Sequence, residues 1–260
     1  MNKDTKIIIS IAERPGNLGV EFHNQGYVHL GLNFVYLPLK VLPTDLEGTI
    51  SLIRNNFRGC SVSMPHKEKI ARYLDELDKT AREVGAVNTT LNESGKLIGY
   101  NTDVLGARTA IESRLDVSGK KVLMLGAGGA ARAVGYAVKQ LGGRLAIANR
   151  TEPKARELAD KLEADLVPWQ NIGEIEGHLL INATNVGMDS TDKPIVGPGV
   201  ISKFDAVMDV VIPSRRLIDK AKKQGKVTIP GRVMAVHQAA EQFNIYTGQK
   251  LPDGFLKNFY

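Results

Sequence analysis

The segment that most constrains the fold is Lys121-Val122-Leu123-Met124-Leu125 followed at once by Gly126-Ala127-Gly128-Gly129-Ala130-Ala131. The unbroken apolar run reads as a parallel strand buried on both faces. Gly126, Gly128 and Ala131 fit a G-x-G-x-x-G/A turn. The first glycine permits the tight bend, the second lets backbone approach a pyrophosphate, and the small third residue packs helix on strand. A helix then runs to about Leu141 and a second strand spans Leu145 to Ala148. Backbone N–H groups along Ala127, Gly129 and Ala130, at the positive end of that helix, suit phosphate oxygens. The segment therefore predicts a dinucleotide-binding βαβ unit; the bland reading is a helix entry that needs small residues.

The end of the second strand distinguishes the dinucleotides. An NAD site usually places Asp or Glu there to hold the ribose 2′-hydroxyl. This chain has Asn149-Arg150-Thr151, with Lys154 one turn on. A carboxylate would repel a 2′-phosphate, whereas the planar fork of Arg150 grips one, and Asn149 and Thr151 add neutral hydrogen bonds. The expected cofactor is NADP. Without that role, Arg150 is a solvated arginine at a helix start.

The rest of the chain also alternates strands and helices. Lys6 to Ala12 and Asn33 to Val41 read as strands around a helix between Asn17 and Gly31. Thr44-Asp45-Leu46-Glu47 has capping-box spacing ahead of a helical series, Leu46, Ile50, Ile53 and Phe57. Cys60 to Met64 reads as a strand, and Val87 to Leu91 with Lys96 to Tyr100 as a hairpin turning at Asn92-Glu93-Ser94-Gly95. Past residue 102, a helix to about Leu115 precedes the glycine unit, and later strands are expected at Leu179 to Asn182, Ala206 to Val210 and Val227 to Ile229. Helices at about Val233 to Tyr246 and Asp253 to Phe259 close the chain. The fold class is α/β: an N-terminal α/β substrate domain, residues 1–101, completed by helices in 232–260, plus a Rossmann-type doubly wound NADP-binding domain, residues 102–231.

Charge and composition narrow the partners. The net charge of +6 comes from 34 basic against 28 acidic residues, a mild excess. The densest basic run, Lys220 to Lys226, has few aromatics to stack bases on and reads as a solvated helix end, so no nucleic-acid partner is expected. No apolar run approaches membrane-spanning length, and the N-terminal residues do not read as a signal peptide. Cys60, the only cysteine, cannot form an internal disulfide, and no Cys/His cluster has metal spacing; metal ligands are expected to be none and the setting cytoplasmic. His23, Trp169 and Cys60 are expected to serve packing, while His66 and His237 lie beside site segments with no partner that the sequence names.

Several segments together resemble the shikimate/quinate dehydrogenases, along nearly the whole chain. Ser61-Val62-Ser63-Met64-Pro65-His66-Lys67 is similar to the segment that carries that family's catalytic lysine, which implies the role for Lys67. Gly85-Ala86-Val87-Asn88-Thr89 and Gly99-Tyr100-Asn101-Thr102-Asp103 imply a substrate-binding Asn88 and a catalytic Asp103, with Thr102, Ser63 and Gln238 holding ring hydroxyls. Asn182 to Met188 resembles the loop near the nicotinamide, and Gly231 to Gly248 the closing helix. Thr184, Val186, Met188, Val210, Gly231 and Met234 are thereby implied on the cofactor side. The implied reaction is reversible hydride transfer between NADP and a ring hydroxyl of shikimate or a similar cyclic hydroxy acid. Lys67 and Asp103 would form its proton-handling pair. An amine of ordinary pKa, about 10.4, is a poor base at neutral pH unless its surroundings lower the value. Alone, the two residues read as a surface lysine and a helix-capping aspartate.

The chain departs from that pattern at the substrate carboxylate. Typical members grip it with two serines; those positions here are Asn17 and Gly19. Ser61 stands where an asparagine is usual, and Val211-Ile212-Pro213 replaces a segment with a tyrosine. The stretch Arg14 to Gly19 is similar to a divergent shikimate dehydrogenase-like subgroup. Each lost hydrogen bond to a carboxylate costs roughly 1.5–3 kcal/mol, so weak shikimate turnover is expected, with Arg14 a candidate replacement contact. Quinate, another polyol acid, or a non-catalytic NADP-binding regulator are the alternatives, and the assembly is expected to be a monomer or homodimer.

Overall fold

The computed structural model describes residues 1–188, 193–212 and 216–260. The chain divides into two compact units, Met1–Thr102 with Gln238–Tyr260, and Asp103–His237.

The first unit begins β1 (Lys6–Ala12), α1 (Leu18–His29), β2 (Phe34–Lys40), α2 (Leu46–Asn56) and β3 (Gly59–Val62), followed by β4 (Glu76–Leu77), α3 (Lys79–Val84), β5 (Thr89–Glu93) and β6 (Lys96–Tyr100). Its sheet has the order β2-β1-β3-β5-β6-β4. β2, β1 and β3 run parallel, while β5 is antiparallel to both β3 and β6. Leu46, Ile50 and Ile53 of α2 cover Ile9, Ile11, Cys60 and Val62, so the helical spacing in the sequence becomes one face of a core.

Two sequence expectations change here. The capping box does not form: α2 starts after Asp45 with no side-chain cap, because the Thr44 hydroxyl donates to the adjacent Asp45 carboxylate at 2.9 Å. Residues 66–86, unassigned in the sequence reading, contain β4 and α3. The Asp78 carboxylate accepts the N–H groups of Thr80 and Ala81 at 3.2 and 2.8 Å, and Gly85 (φ 75°) ends the helix in the left-handed region.

The second unit runs α4 (Asp103–Glu112), β7 (Lys121–Leu125), α5 (Gly129–Gln140), β8 (Arg144–Ala148), α6 (Glu152–Leu162), β9 (Asp165–Leu166), β10 (Gly177–Asn182), α7 (Pro198–Ile201), β11 (Phe204–Asp209), α8 (Arg216–Lys223) and β12 (Val227–Pro230). All its strand pairs are parallel, in the order β12-β11-β10-β7-β8-β9. Counted within the unit from the β9 edge, that is 3-2-1-4-5-6, the doubly wound arrangement, whose strand order reverses between β7 and β10. The lysine-rich run lies at the end of α8, whose Leu217, Ile218 and Ala221 are buried.

α9 (Gly231–Thr247) and α10 (Asp253–Leu256) follow, and the division between units falls inside α9, after His237. Within the first unit, a Cβ on Gly26 of α1 would stand 2.7 Å from Phe243, and one on Gly59 2.7 Å from Tyr246. Only glycine lets α9 approach that closely. Phe255 and Phe259 meet Phe22 edge-on. Among the described residues, no helix is long and apolar enough to cross a membrane.

Candidate functional site

In the second unit, Gly126 bends the chain out of β7 at φ 120°, where a Cβ would lie 2.6 Å from the Ala183 carbonyl oxygen. Its N–H donates to Ala148 O at 2.8 Å, and Ala183 N–H donates to Leu125 O at 2.8 Å, so the bend is pinned to both flanking strands. Gly128 is different: a Cβ there would meet nothing within 4 Å, and it caps α5 with no side chain. An open glycine at an uncapped helix start is a cradle for an anion, with Ala127, Gly129 and Ala130 in the same turn. Ala131 is fully buried, as close helix packing requires.

The cationic edge sits at the end of β8. Arg150, Thr151 and Lys154 are exposed, and Asn149 Nδ2 donates to Thr151 O at 3.0 Å, closing the turn into α6. Arg132 of α5 bridges to Glu157 of α6 at 2.9 Å and holds that carboxyl below the usual carboxylate range. These residues fit NADP.

Asn182 organises the loop after β10. Its Oδ1 accepts from Thr184 N–H at 3.1 Å and from the Thr184 hydroxyl at 2.7 Å. Its Nδ2 donates to Val186 O at 3.1 Å and to Asp209 Oδ1 at 2.9 Å. Val210 N–H donates to Asn182 O, and Met188 is exposed at the loop's end. Gly231 has no room for a side chain, with the Val210 carbonyl 2.6 Å from a would-be Cβ; Met234 is buried one turn on. Thr184 stands beside the Gly126 bend, its methyl 3.1 Å from a would-be Cβ there, and Val210 follows directly on β11. Asp103, buried, opens α4, while Pro213 lies outside the described residues.

In the first unit, Lys67 is half-buried just past β3. Lys67 O accepts Val87 N–H at 2.8 Å, which fixes its backbone, and the neighbouring buried His66 ring lies 2.9 Å (Nε2) from Val41 O. Ser63 is exposed, its N–H donating to Ile11 O. Asn88, Thr102 and Gln238 form one cluster. Asn88 Nδ2 donates to Thr102 Oγ1 at 2.8 Å and to Gln238 Oε1 at 3.2 Å, and Thr102 N–H donates back to Asn88 Oδ1 at 2.8 Å.

Ser61 does not join that cluster directly. It is buried, with its hydroxyl 3.2 Å from Gln242 Oε1 and 2.9 Å from the Tyr246 hydroxyl. Asn17 is exposed at the start of α1. Asn24 pairs with both backbone groups of Tyr36 at 2.9 Å, which fixes α1 on the edge strand β2. That register puts Gly19 over the Tyr36 phenol, 3.0 Å from a would-be Cβ to the hydroxyl. Burial pushes the Tyr36 phenol up, opposed weakly by the nearby Ser61 and Ser10 hydroxyls. The sequence reading missed Gln242, Tyr36 and Asn182. Gln242 at least carries a signal, one helical turn beyond Gln238.

Comparisons with known proteins give the family. Residues 18–90 match the shikimate dehydrogenase substrate binding domain, and residues 107–214 match shikimate / quinate 5-dehydrogenase. The chain is 37% identical over 248 residues to the shikimate dehydrogenase (NADP(+)) of Thermococcus kodakarensis, covering 93% of this chain and 90% of that one. A solved shikimate 5-dehydrogenase-like protein superposes with a TM-score of 0.89 at 34% identity, over 99% of this chain and 97% of the other. Shikimate 5-dehydrogenase of Thermus thermophilus, solved with NADP(H) and shikimate, gives 0.88 at 30% identity over 97% of each. With the doubly wound sheet, the glycine cradle and the Asn88 cluster in one chain, the protein belongs to the shikimate dehydrogenase family.

Proposed function

We propose that this protein is an NADP-dependent dehydrogenase that interconverts a ring hydroxyl of shikimate, or of a closely similar cyclic hydroxy acid, with the ketone, in a cytoplasmic setting. The observation that carries the reading is the cluster of buried Asn88 and Thr102 with half-buried Gln238, neutral hydrogen-bonding groups suited to ring hydroxyls, in the chain that also holds the open Gly128 cradle. We assign the first unit to substrate and the second to cofactor. Bound NADP supplies the nicotinamide that takes up or returns the hydride.

The residues divide the remaining work. Gly126 to Ala130 bind pyrophosphate with backbone N–H groups, and Arg150, Asn149, Thr151 and Lys154 hold the 2′-phosphate. Thr184, Val186, Met188, Val210, Gly231 and Met234 line the nicotinamide end. Asn88, Thr102, Ser63 and Gln238 orient the ring. Oxidising a secondary alcohol requires loss of the hydroxyl proton as hydride leaves carbon, and Lys67 with Asp103 handles that proton.

Gly19, with no side chain, and Asn17, exposed at the helix start, leave the carboxylate with fewer donors than a serine pair supplies. Shikimate turnover is therefore weak, or a substrate altered near its carboxylate is preferred. The test is NADPH formation over a panel of polyol acids. Lys67→Met and Asp103→Asn should each abolish turnover; wild-type rates in both would overturn the pairing. Arg150→Ala should raise KM for NADP about tenfold or more and leave that for NAD nearly unchanged. Equal effects on both cofactors would overturn the NADP assignment. A wild type that binds NADP yet oxidises nothing in the panel would overturn the enzymatic reading.

A further inference from the structure

We propose that Gln242 is a positioning residue for the substrate site, acting through Thr89 to hold the Asn88 carboxamide in place against Thr102 and Gln238. The proposal rests on the functional reading above only in taking Asn88 and Gln238 as the groups that meet substrate.

A carboxamide presents a donor end and an acceptor end, and the two differ only by a flip. For Asn88 the choice is settled by a group of unambiguous polarity: the backbone N–H of Thr102 donates to one terminal atom at 2.8 Å, which must be Oδ1. Every proton in the chain of contacts then has one direction. The second donor to Oδ1 is the Thr89 hydroxyl, at 2.8 Å. That hydroxyl has one proton, so it accepts from its other neighbour, Gln242 Nε2, at 2.9 Å. The same nitrogen donates to Asn88 O at 3.1 Å, grasping Asn88 by backbone and side chain together. With Nε2 committed, Gln242 Oε1 faces the Ser61 hydroxyl at 3.2 Å; Ser61 donates there and accepts from the Tyr246 hydroxyl at 2.9 Å.

At the other end, Asn88 Nδ2 donates to Thr102 Oγ1, whose proton is then directed to Gln238 Oε1 at 3.3 Å. The result is an ordered relay from Tyr246 through Ser61, Gln242, Thr89, Asn88 and Thr102 to Gln238. Gln242 is nine-tenths or more buried and supplies the carboxamide that lies wholly behind the cluster. Polarised chains of this kind strengthen link by link, and a broken link leaves buried donors and acceptors unmatched. The arrangement also explains Ser61: its hydroxyl orders the amide of Gln242.

The experiment compares Gln242→Met, Thr89→Val and the double variant. Thr89→Val keeps the shape and the strand preference of Thr89, so it stands as the mild break if Gln242→Met fails to fold. Each single change should raise KM for shikimate about tenfold, with kcat and KM for NADP within about twofold of wild type. Because both break the Gln242–Thr89 link, the double variant should fall well short of the product of the two single effects. A multiplied effect, or an unchanged KM in Thr89→Val, overturns the proposal. A second readout needs no substrate: solvent exchange of the Asn88 side-chain amide protons should accelerate in the folded Thr89→Val protein. Unchanged exchange overturns the relay even if wild type turns over no shikimate, and accelerated exchange supports it in that same case. Failure of the functional reading is thus told apart from failure of the relay.

Discussion

His23 should make the first unit acid-sensitive, by an amount that follows from its surroundings. The ring is fully buried, stacked on Tyr36 with centroids 4.4 Å apart at 8° and flanked by Phe22, Phe243 and Tyr246. Among the described residues, neither ring nitrogen has a hydrogen-bond partner of normal geometry; Gln242 is near enough only to oppose weakly. Burial therefore drives the pKa from its ordinary 6.5 down to about 3. Between those values the unfolded chain binds a proton that the folded one refuses. Stability contributed by neutral His23 is thus complete above the ordinary value and is lost as pH falls from there toward about 3. At about 1.4 kcal/mol per pH unit, the loss between pH 7 and pH 5 amounts to roughly 2 kcal/mol. His23→Phe removes the titration while keeping an aromatic ring in the stack. Carboxylates held low by cationic partners, such as Asp75 by Arg54, titrate in both proteins and cancel in the comparison. Urea unfolding at the two pH values should show wild type losing about 2 kcal/mol more than His23→Phe, whatever their difference at pH 7. Equal losses would refute a neutral, sealed His23.

Two further perturbations separate space from function. Gly126→Ala forces a Cβ to 2.6 Å from the Ala183 carbonyl at positive φ and should cost about 2–4 kcal/mol, read as a fall in calorimetric Tm; Gly128→Ala meets no protein atom and should leave Tm nearly unchanged while weakening NADP binding about tenfold or more in a fluorescence titration. Gly19→Ser sets a hydroxyl-bearing side chain beside the Tyr36 phenol and returns a donor to the carboxylate end, so KM for shikimate should fall about tenfold, and an unchanged KM would mean this position does not meet the carboxylate.

What the sequence discloses, and what it withholds, follows from how far each interaction reaches along the chain. β7, the Gly126 bend and α5 are readable because their cause is local: an apolar run, a forced φ and a stripe of small buried residues within one helix. α3 escapes because six residues are too few for periodicity, although Asp78 and Gly85 mark both its ends. The Thr44 box misleads for the opposite reason. Its spacing is correct, yet the adjacent Asp45 carboxylate takes up the hydroxyl, a competition that spacing does not encode.

The substrate end shows the limit most clearly. Asn88, Thr102 and Gln238 are singled out by resemblance, but the network behind them is not, because it depends on Thr89 lying opposite Ser61 in the β3–β5 pairing and on α9 crossing both. Gln242 lies 153 positions from Thr89, and no periodicity spans that gap. The Gly19–Tyr36 contact is similarly invisible, since it is set by Asn24 clamping the backbone of an edge strand. Absence of a side chain at position 19 and presence of a buried relay behind Asn88 are therefore two parts of one difference. On the proposed assignment, the carboxylate end has fewer donors, while the hydroxyl end is held by an ordered network. A substrate that keeps the ring hydroxyls and changes near the carboxylate would lose little here, whereas one that moves a hydroxyl would meet donors and acceptors in the wrong order. Selectivity in this protein should consequently be steep at the ring hydroxyls and shallow at the acid group, and a panel varying each position in turn would refute that ordering if the acid group proved the more discriminating.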